Sequence, residues 1–247
     1  MNFIYGCLLG LLLLLAPQWQ VGQRIFIASN IPSGYLYAGH FDGTTDYVTT
    51  ASVSTLSPPA LSESAWIYIS GLPSAYNTVI GSNGGQENIF VKSNGKLSVN
   101  VVGTGGTAYV DGTGIRTLTI GNWYFLSLTY DSVSGVHSYV NGVLDGSAAA
   151  NGTLVTGTNP TTIGYQVSST PRYWQGLISG VTMYNVALTS TQIGTLYANG
   201  AISSGLIGQW KLNEGSGTTA IDSSTGGNNG TWVGTASGNS GYYQITH

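Results

Sequence analysis

The side chains that could act as acids or bases in this sequence are few and scattered. Nine of the 247 residues are acidic, and the three glutamates, Glu63, Glu87 and Glu214, lie far apart along the chain. Glycoside hydrolysis, for example, requires two carboxyl groups placed on either side of one bond. Three aspartates, at positions 131, 145 and 222, stand beside Ser or Gly, which favours a role in turns.

Other catalytic groups are equally sparse. The histidines, His40, His137 and His247, show no spacing typical of metal ligands. Cys7 is the only cysteine, so the chain has no internal disulfide and no thiolate metal site. Neither a Gly-x-Ser-x-Gly motif nor a phosphate-binding loop is present. The sequence therefore predicts a protein that is not an enzyme.

The charge distribution excludes nucleic acid as a partner. The chain carries six Lys and Arg against nine Asp and Glu, a net charge of −3, and the basic residues are scattered. Binding to phosphates requires a cluster of cations to neutralise them. Only 6% of the residues are charged, whereas an average soluble domain has about 25%. A surface of Ser, Thr, Asn and Gly is suited to packing of one subunit against another.

Short strands separated by Gly-, Asn- or Pro-rich turns follow one another from Tyr35 onward. In Trp123–Tyr130 the side chains alternate between two faces, as in a strand with one face against a core. One helix is predicted over Leu188–Tyr197, with Thr189 or Ser190 as its N-cap and Asn199-Gly200 at its end. These elements predict an all-β protein: a two-sheet antiparallel β-sandwich or jelly roll with one short helix.

The first 20 residues form a separate segment. Phe3 to Ala16 carries no charge and has the composition of a secretory signal, but no basic residue precedes it and no small-x-small cleavage site follows. Its length of about 14 residues is short for a membrane span, which needs about 20. We interpret residues 1–20 as a targeting or assembly segment. A signal, an apolar arm buried against an assembly neighbour and a monotopic membrane anchor all stay open. Residues 21–35 are a connecting strand or arm.

A series of motifs in residues 36–200 resembles one known family. They are His40-Phe-Asp-Gly-Thr-Thr-Asp-Tyr-Val48, Glu63-Ser-Ala-Trp-Ile67, Gly121-Asn-Trp-Tyr-Phe125, Leu128-Thr-Tyr-Asp131, Ser138-Tyr-Val-Asn-Gly-Val143, Thr162-Ile-Gly164, Gln175-Gly-Leu-Ile-Ser-Gly-Val181 and Met183-Tyr-Asn-Val-Ala-Leu-Thr-Ser-Thr-Gln-Ile193. In this order they resemble the concanavalin A-like lectin/glucanase superfamily, in its laminin-G-like, pentraxin-like branch. The resemblance implies a concanavalin A-like sandwich over residues 36–200, but such folds host many functions.

The C-terminal segment, residues 201–247, resembles the part with which such a domain usually opens. It contains Leu206-Ile-Gly-Gln-Trp-Lys-Leu-Asn-Glu-Gly-Ser-Gly-Thr-Thr219, a strand with a Trp that runs into a Gly/Ser turn. We expect this strand to complete the sandwich, either of its own chain or of a neighbouring copy. A truncated second domain is disfavoured, because a lone opening strand has no core in which to bury Trp210 and Leu212.

The resemblance also bears on catalysis and metal binding. Glucanases of the superfamily usually carry their acids on one strand in a Glu-x-Asp-x-(x)-Glu pattern, which this chain lacks. Many relatives hold one Ca²⁺ with a carboxylate and several carbonyl oxygens, the hard ligands that this cation prefers. Asp42 and Asp222, with Asn228 as a helper, are the calcium candidates here. The alternative is that the two aspartates cap turns through their own backbone.

Sugar contacts in lectin-like sandwiches combine aromatic faces with Asn, Asp and Gln hydrogen bonds. Trp66, Trp123 and Trp210 align with core positions of the family, so we interpret them as packing residues. Three pairs in loop-like stretches are the candidates for a contact surface, and the alternative is that they cover the edge of the core. The pairs are Tyr76 with Asn77, Tyr165 with Gln166, and Tyr173 with Trp174.

Two functions in different classes therefore remain. The first is a non-catalytic, carbohydrate-binding adhesion module located outside a cell, on a cell surface or on a virion. The second is a structural or decoration protein, in which the sandwich contacts other copies of the chain in a homo-oligomer or lattice. A glycan-active enzyme is disfavoured, since it requires an acid pair that the sequence does not show.

Overall fold

The computed structural model of the chain describes residues 26–27, 37–51, 60–82, 87–155, 159–168, 170–200, 202–234 and 242–246. The predictions for residues 1–20 and for most of residues 21–35 concern residues outside these ranges. Among the described residues, no helix has the length and apolar character that a membrane span requires.

The first large sheet contains nine strands in the described part of the chain. With strands numbered in chain order, they are β1 (Phe26–Ile27), β2 (Tyr37–Asp42), β4 (Leu61–Gly71), β9 (Trp123–Asp131), β10 (Gly135–Val140), β11 (Val143–Ala148), β15 (Gln175–Tyr184), β16 (Leu206–Trp210) and β19 (Tyr242–Thr246). The spatial order is β1-β19-β2-β15-β4-β9-β10-β11, and β16 pairs with β15 beyond the end of β2. Apart from the parallel pair β1 and β19, neighbours are antiparallel.

The second large sheet contains eight described strands and packs face to face with the first. Its members are β3 (Tyr47–Thr50), β5 (Tyr76–Ser82), β6 (Glu87–Lys92), β7 (Leu97–Gly103), β8 (Gly106–Asp111), β12 (Thr161–Ile163), β17 (Thr219–Ala220) and β18 (Gly230–Val233). Their order is β17-β18-β3-β12-β5-β6-β7-β8. A separate two-stranded hairpin joins β13 (Tyr165–Gln166) to β14 (Arg172–Tyr173). The predicted two-sheet antiparallel sandwich is confirmed.

Strand alternation divides the apolar side chains between two cores. On β4, Leu61, Ala65 and Ile67 point into the space between the sheets, whereas Trp66 points to the opposite face. There Trp66 packs against Phe125 and Tyr197, with ring centroids 5.3 and 5.4 Å apart. The outer face of the first sheet is thus covered by the helix.

The helix α1 (Ser190–Asn199) begins and ends where its capping residues allow. Thr189 is the N-cap, and its side chain and that of Gln192 form a capping box, which satisfies exposed N–H groups of the first turn. Gly200 ends the helix in the left-handed conformation, at φ 67°, and its N–H donates to the Leu196 carbonyl. The predicted helix is confirmed, with Thr189 as the cap.

The C-terminal segment pairs within its own chain. Strand β16 aligns antiparallel with β15, Trp210 opposite Val181, and β18 aligns with β3, Trp232 opposite Val48. Trp210 and Leu212 are fully buried in the core between the sheets, where Trp232 joins them. The segment therefore contributes two strands to the first sheet, β16 and β19, and two to the second, β17 and β18, together with large side chains in the common core.

Candidate functional site

The polar outer face of the second sheet is formed by alternate residues of its last strands. On β7, Leu97, Val99 and Val101 point to the core, so Ser98 and Asn100 point outward. In the register between β7 and β8, Ser98 lies opposite Asp111 and Asn100 opposite Tyr109. These side chains therefore form neighbouring cross-strand pairs on the outer face of the sheet, where Tyr109 is exposed and Ser98 is buried.

The hairpin β13–β14 lies on this same sheet. Tyr165 pairs with Tyr173 and Gln166 with Arg172, so the hairpin presents two tyrosines on one side and a polar pair on the other. Gly81 of β5 lies directly beneath it, because a β-carbon at that position would lie only 3.0 Å from the Tyr165 carbonyl oxygen. The absence of a side chain there permits the close approach of the hairpin.

Three half-buried tyrosines cluster on one side of the hairpin. The ring centroids of Tyr165 and Tyr173 are 4.7 Å apart and nearly parallel, and Tyr47 of β3 lies 4.7 Å from Tyr165. Burial raises the pKa of both hairpin tyrosines, and the neighbouring phenols raise it further. The three rings pack against one another, and because Tyr47 belongs to β3, this cluster holds the hairpin against the second sheet.

A groove of about 220 Å³ lies on the other side of the hairpin. Tyr109 is its most accessible aromatic ring, with 57% of the residue exposed. The full lining is Tyr76, Phe90, Ser98, Asn100, Thr107, Tyr109, Asp111 and Arg172. A second cavity of about 250 Å³ shares Tyr76 and Arg172 with the groove and continues past Ser74, Ser168 and Thr170. We call the two together the Tyr109 groove.

Asp111 is held rigidly in the wall of this groove. Its carboxylate accepts hydrogen bonds from Lys92 Nζ at 3.0 Å, Ser98 Oγ at 3.0 Å and the Tyr76 hydroxyl at 3.0 and 3.1 Å. Burial alone would raise the pKa of Asp111, but the bonds from Lys92, Ser98 and Tyr76 outweigh it and lower the pKa. Asp111 is therefore an ionised carboxylate with its charge matched by Lys92.

The structure corrects part of the predicted contact surface. Asn77 is fully buried. Its side-chain NH₂ donates to the carbonyls of Ser74 and Val91, and its side-chain oxygen accepts a hydrogen bond from the Ser74 N–H. Trp174 is also fully buried and belongs to the core between the sheets. Neither residue faces a ligand, because each alternates with a neighbour that points outward. The stretches around Tyr76, Tyr165 and Tyr173 are strands, not the loops that we expected.

The remaining predicted residues surround the hairpin. Tyr76 lines both cavities of the Tyr109 groove. Gln166 is nearly buried, and its side-chain oxygen accepts a hydrogen bond of 2.9 Å from Arg172. Tyr165 and Tyr173 lie across the hairpin from the groove. The structure thus brings the predicted residues to one region, with Tyr76 as the one that contacts the cavity.

The lining residues that the sequence analysis missed include Asn100, Thr107, Tyr109, Asp111 and Arg172. A usable signal was present in Thr107-Ala-Tyr-Val-Asp111, where polar and aromatic residues alternate with small apolar ones. Such alternation predicts one solvent-facing side with Thr107, Tyr109 and Asp111 on it. Arg172 carries no comparable local signal, because only the fold of the hairpin brings it against Tyr76.

The predicted calcium ligand Asp42 is engaged in a tight turn. Its carboxylate accepts hydrogen bonds from the backbone N–H groups of Thr44, Thr45 and Asp46 and from the hydroxyls of Thr44 and Thr45, at 2.7–3.0 Å. Burial raises the pKa of Asp42, but the donors from residues 44–46 outweigh it and hold the pKa far below its usual range. The alternative interpretation of a turn cap describes this geometry.

Asp222 and Asn228 form a second turn. The Asp222 carboxylate accepts the backbone N–H groups of Gln209, Ser224 and Asn228 at 2.8–2.9 Å. Gln209 pairs with Thr182 of β15, whereas Asp42 pairs with Gln175 at the other end of that strand. Seven strand residues separate the two turns by about 23 Å, so the three predicted ligands do not form one site.

The predicted residues therefore do not fit a calcium site. Nor do the described residues contain any group of three or more His, Cys, Asp and Glu able to hold a metal ion. We expect the melting temperature to be the same in EDTA and in millimolar calcium chloride, because these carboxylate oxygens already accept N–H and O–H donors. Differential scanning fluorimetry measures this, and an increase of several degrees with calcium would contradict it.

Glu63 and Glu87 lie in the interior and not at a surface site. They point into the core from opposite sheets, and both Glu63 oxygens and one Glu87 oxygen have no hydrogen-bond partner among the described residues. Burial raises the pKa of Glu63 to about 8. Burial also raises the pKa of Glu87 well above its usual value, and the charge of Glu63 adds to this. Such a pair is out of reach of a polysaccharide.

A further cavity, of about 410 Å³, lies beside the start of α1, lined in part by Asp131, His137 and Tyr139. Its aromatic residue, Tyr139, is buried. The Asp131 carboxylate already accepts hydrogen bonds from the backbone N–H groups of Val133 and Ser134, at 2.8 and 2.6 Å. The Tyr109 groove, with an exposed ring beside fixed polar groups, is the better candidate site.

Solved structures share this fold. A protein from Bacteroides ovatus, provisionally assigned as carbohydrate-binding, has a TM-score of 0.66 and 21% identity, over 86% of this chain and 61% of its own. A heptameric SAP-like pentraxin from Limulus polyphemus has a TM-score of 0.52 and 18% identity, over 68% of this chain and 84% of its own. This chain thus spans about three fifths of the Bacteroides protein.

No curated protein matches the sequence significantly. Residues 42–194, more than half of the chain, match a laminin G family model. This range runs from the turn at Asp42 to the helix α1 and includes every strand that lines the Tyr109 groove. With two antiparallel sheets and this match, the chain belongs to the concanavalin A-like lectin/glucanases superfamily.

Proposed function

We propose that the protein is a non-catalytic carbohydrate-binding module that holds its ligand in the Tyr109 groove. The observation that carries the proposal is the exposed ring of Tyr109 between side chains that are able to hydrogen-bond to hydroxyl groups. Asn100, Thr107 and Arg172 line the same groove. A sugar ring has an apolar C–H face and a rim of hydroxyl groups. The Tyr109 ring can pack against the face, and Asn100, Thr107 and Arg172 can hydrogen-bond to the hydroxyls.

The geometry favours binding without large rearrangement. Asn100 and Tyr109 are cross-strand neighbours on β7 and β8, two paired strands of a large sheet. Asp111 is fixed by Lys92, Ser98 and Tyr76. Side chains that are already ordered lose little conformational entropy when a ligand binds, so more of the contact energy becomes affinity.

The absence of catalysis is part of the proposal. A glycosidase places two carboxyl groups about 5–9.5 Å apart around the scissile bond. Asp111 is the one carboxylate among the groove residues, and it is paired with Lys92. The family includes both lectins and glucanases, so membership supports sugar recognition without distinguishing the two classes. The fold shared with the Bacteroides protein is consistent with a binding role.

Replacing Tyr109 with alanine is expected to weaken binding to the polysaccharide that the protein recognises by about tenfold. A ring that covers about 60 Å² of a sugar contributes about 1.5 kcal/mol. Affinity electrophoresis on a panel of soluble polysaccharides, followed by calorimetry on the best one, measures the change. Tyr109 is exposed, so the variant should fold normally.

Ile120→Ala is the matched control, because Ile120 is similarly exposed, at 59%, and lies outside the groove. If both variants bind equally well, the groove is not the site. If the wild-type protein is retained by no polysaccharide and is a stable homo-oligomer by native mass spectrometry, the assembly function is favoured instead. The proposed place of action is outside a cell, on a cell surface or on a virion, where glycans are available.

A further inference from the structure

Arg172 is the basic residue of the Tyr109 groove that has no acidic partner. The two ion pairs within the described residues are Lys92 with Asp111 and Arg116 with Asp145. Arg172 lines both cavities of the groove, and its one hydrogen-bond acceptor among the described residues is the neutral Gln166 side chain, at 2.9 Å. A guanidinium carries five N–H donors, so donors remain for a ligand.

The guanidinium is held in place from below. Its central carbon lies 4.8 Å from the ring centroid of Tyr76 and 5.4 Å from that of Phe90. Stacking on aromatic faces orients the plane of the group, and the bond to Gln166 fixes one end. The group is therefore arranged before any ligand binds.

The remaining charges of the groove cancel. Lys92 Nζ lies 3.0 Å from the Asp111 carboxylate, which also accepts bonds from Ser98 and Tyr76. The adjoining cavity is lined by Ser74, Ala75, Ser168, Thr170 and Pro171 beside Tyr76 and Arg172, and contains no carboxylate. The groove thus has one unmatched positive charge in a protein whose net charge is −3.

We propose that the ligand of the Tyr109 groove is an acidic glycan whose anionic group binds the Arg172 guanidinium. This inference rests on the proposed carbohydrate-binding function. A planar guanidinium binds a carboxylate or a sulfate through two parallel N–H bonds, and these charge-assisted bonds are stronger than neutral ones. The sugar ring then lies against Tyr109, and a neutral glycan leaves the Arg172 charge without a partner.

Matched polysaccharides test the proposal. The probes are polygalacturonate and its methyl ester, polysialic acid, and dextran sulfate with unmodified dextran. These pairs separate carboxylate from sulfate and charged from neutral chains on the same backbone. We expect the wild-type protein to bind at least one acidic polymer about tenfold more tightly than its neutral counterpart. We also expect added sodium chloride to weaken this binding.

Arg172→Gln should remove that preference, and Arg172→Lys should keep the salt dependence with weaker affinity, because lysine retains the charge without the planar fork. Lys211→Gln, which removes an exposed positive charge outside the groove, is the control and should bind as the wild type does. Circular dichroism confirms that each variant is folded. If Arg172→Gln does not fold, the affinities of the wild-type protein for charged and for neutral polymers still test the proposal.

The outcomes separate this inference from the proposed function. Equal affinity of the wild type for charged and neutral polymers, lost in Tyr109→Ala, would overturn the role of Arg172 and retain carbohydrate binding. An unchanged preference for acidic polymers in Arg172→Gln would also overturn it. Binding to no glycan, in this panel or on an array of neutral, carboxylated and sulfated glycans, would reject the proposed function and this inference with it.

Discussion

Replacing Glu63 with glutamine is expected to stabilise the protein by about 3 kcal/mol at pH 7, because the buried carboxyl must otherwise keep a proton that the unfolded chain releases. Glu63 is fully buried, and neither of its oxygens has a hydrogen-bond partner among the described residues. Its usual pKa of 4.5 rises to about 8 in the folded protein. Glutamine has nearly the same shape and carries no charge at any of these pH values.

The same shift gives the wild-type protein a pH-dependent stability. Since the folded chain binds this proton more tightly than the unfolded chain does, the contribution of Glu63 to the free energy of unfolding is most favourable below the unfolded pKa of 4.5. This contribution decreases as the pH rises toward the folded pKa of about 8. We expect a loss of about 3 kcal/mol between pH 5 and pH 8. The raised pKa of Glu87 acts in the same direction.

Urea unfolding followed by tryptophan fluorescence at several pH values in this interval measures both effects. Glu63→Gln should reduce the slope of stability against pH. Glu214→Gln is the control, because Glu214 is the third glutamate of the chain and lies outside the core between the sheets. A wild-type stability that is constant from pH 5 to pH 8, or an unchanged slope in Glu63→Gln, would contradict the assignment of a buried, protonated pair.

Replacing Trp210 with alanine is expected to destabilise the protein by about 3–5 kcal/mol, the usual cost of emptying a buried tryptophan site. Trp210 is fully buried between the sheets, and its indole N–H donates to the Asn228 carbonyl at 3.0 Å. The variant thus leaves a cavity and an unpaired carbonyl. The loss approaches the whole stability of a typical domain.

Ile221→Ala provides the control within the same C-terminal segment, since Ile221 is 52% exposed and a surface substitution usually changes stability by less than about 0.5 kcal/mol. Chemical unfolding of both variants gives the comparison. Because β16 pairs with β15 of its own chain, the unfolding midpoint should not depend on protein concentration. A midpoint that rises with concentration would indicate exchange of the segment between copies.

Removal of residues 206–247 extends this test to the whole segment. The truncated chain loses β16, β17, β18 and β19 together with the core side chains Trp210, Leu212 and Trp232. We expect it to be insoluble or to unfold without cooperativity. If it unfolded as cooperatively as the full chain, the segment would not be an integral part of the sandwich. The likeness of this segment to a family-opening strand stays a prediction, because the family match ends at residue 194.

The local elements were predictable because local sequence controls them. Alternation in Trp123–Asp131 gave the right strand and the right two faces, as the residues divide between the two cores. Thr189 and Gly200 end the helix through contacts within a few residues. The family motifs supplied the two-sheet arrangement. Strand periodicity and helix capping depend on residues that are close together in the sequence. They can therefore be predicted without knowing which distant strands pair.

The candidate site was only partly predictable. Of the pairs chosen as contact residues, Tyr76 lines the groove, whereas Asn77 and Trp174 are buried. The choice failed because it placed each residue with its neighbour in sequence on one surface, whereas adjacent strand residues point to opposite faces. The candidate calcium ligands were likewise chosen without knowledge of the fold, which places Asp42 and Asp222 at opposite ends of β15. Calcium binding itself stays a prediction.

The sequence alone thus determined the fold class, the helix with its caps, the low charge and the family, all of which depend on composition or on residues close together in the chain. The tertiary structure alone decided which side chains meet. It brought Arg172 against Tyr76 across nearly 100 positions and placed Glu63 and Glu87 in the interior of the sandwich. It also paired the C-terminal strand β16 with β15. These outcomes depend on register and burial, which the completed packing of distant strands sets.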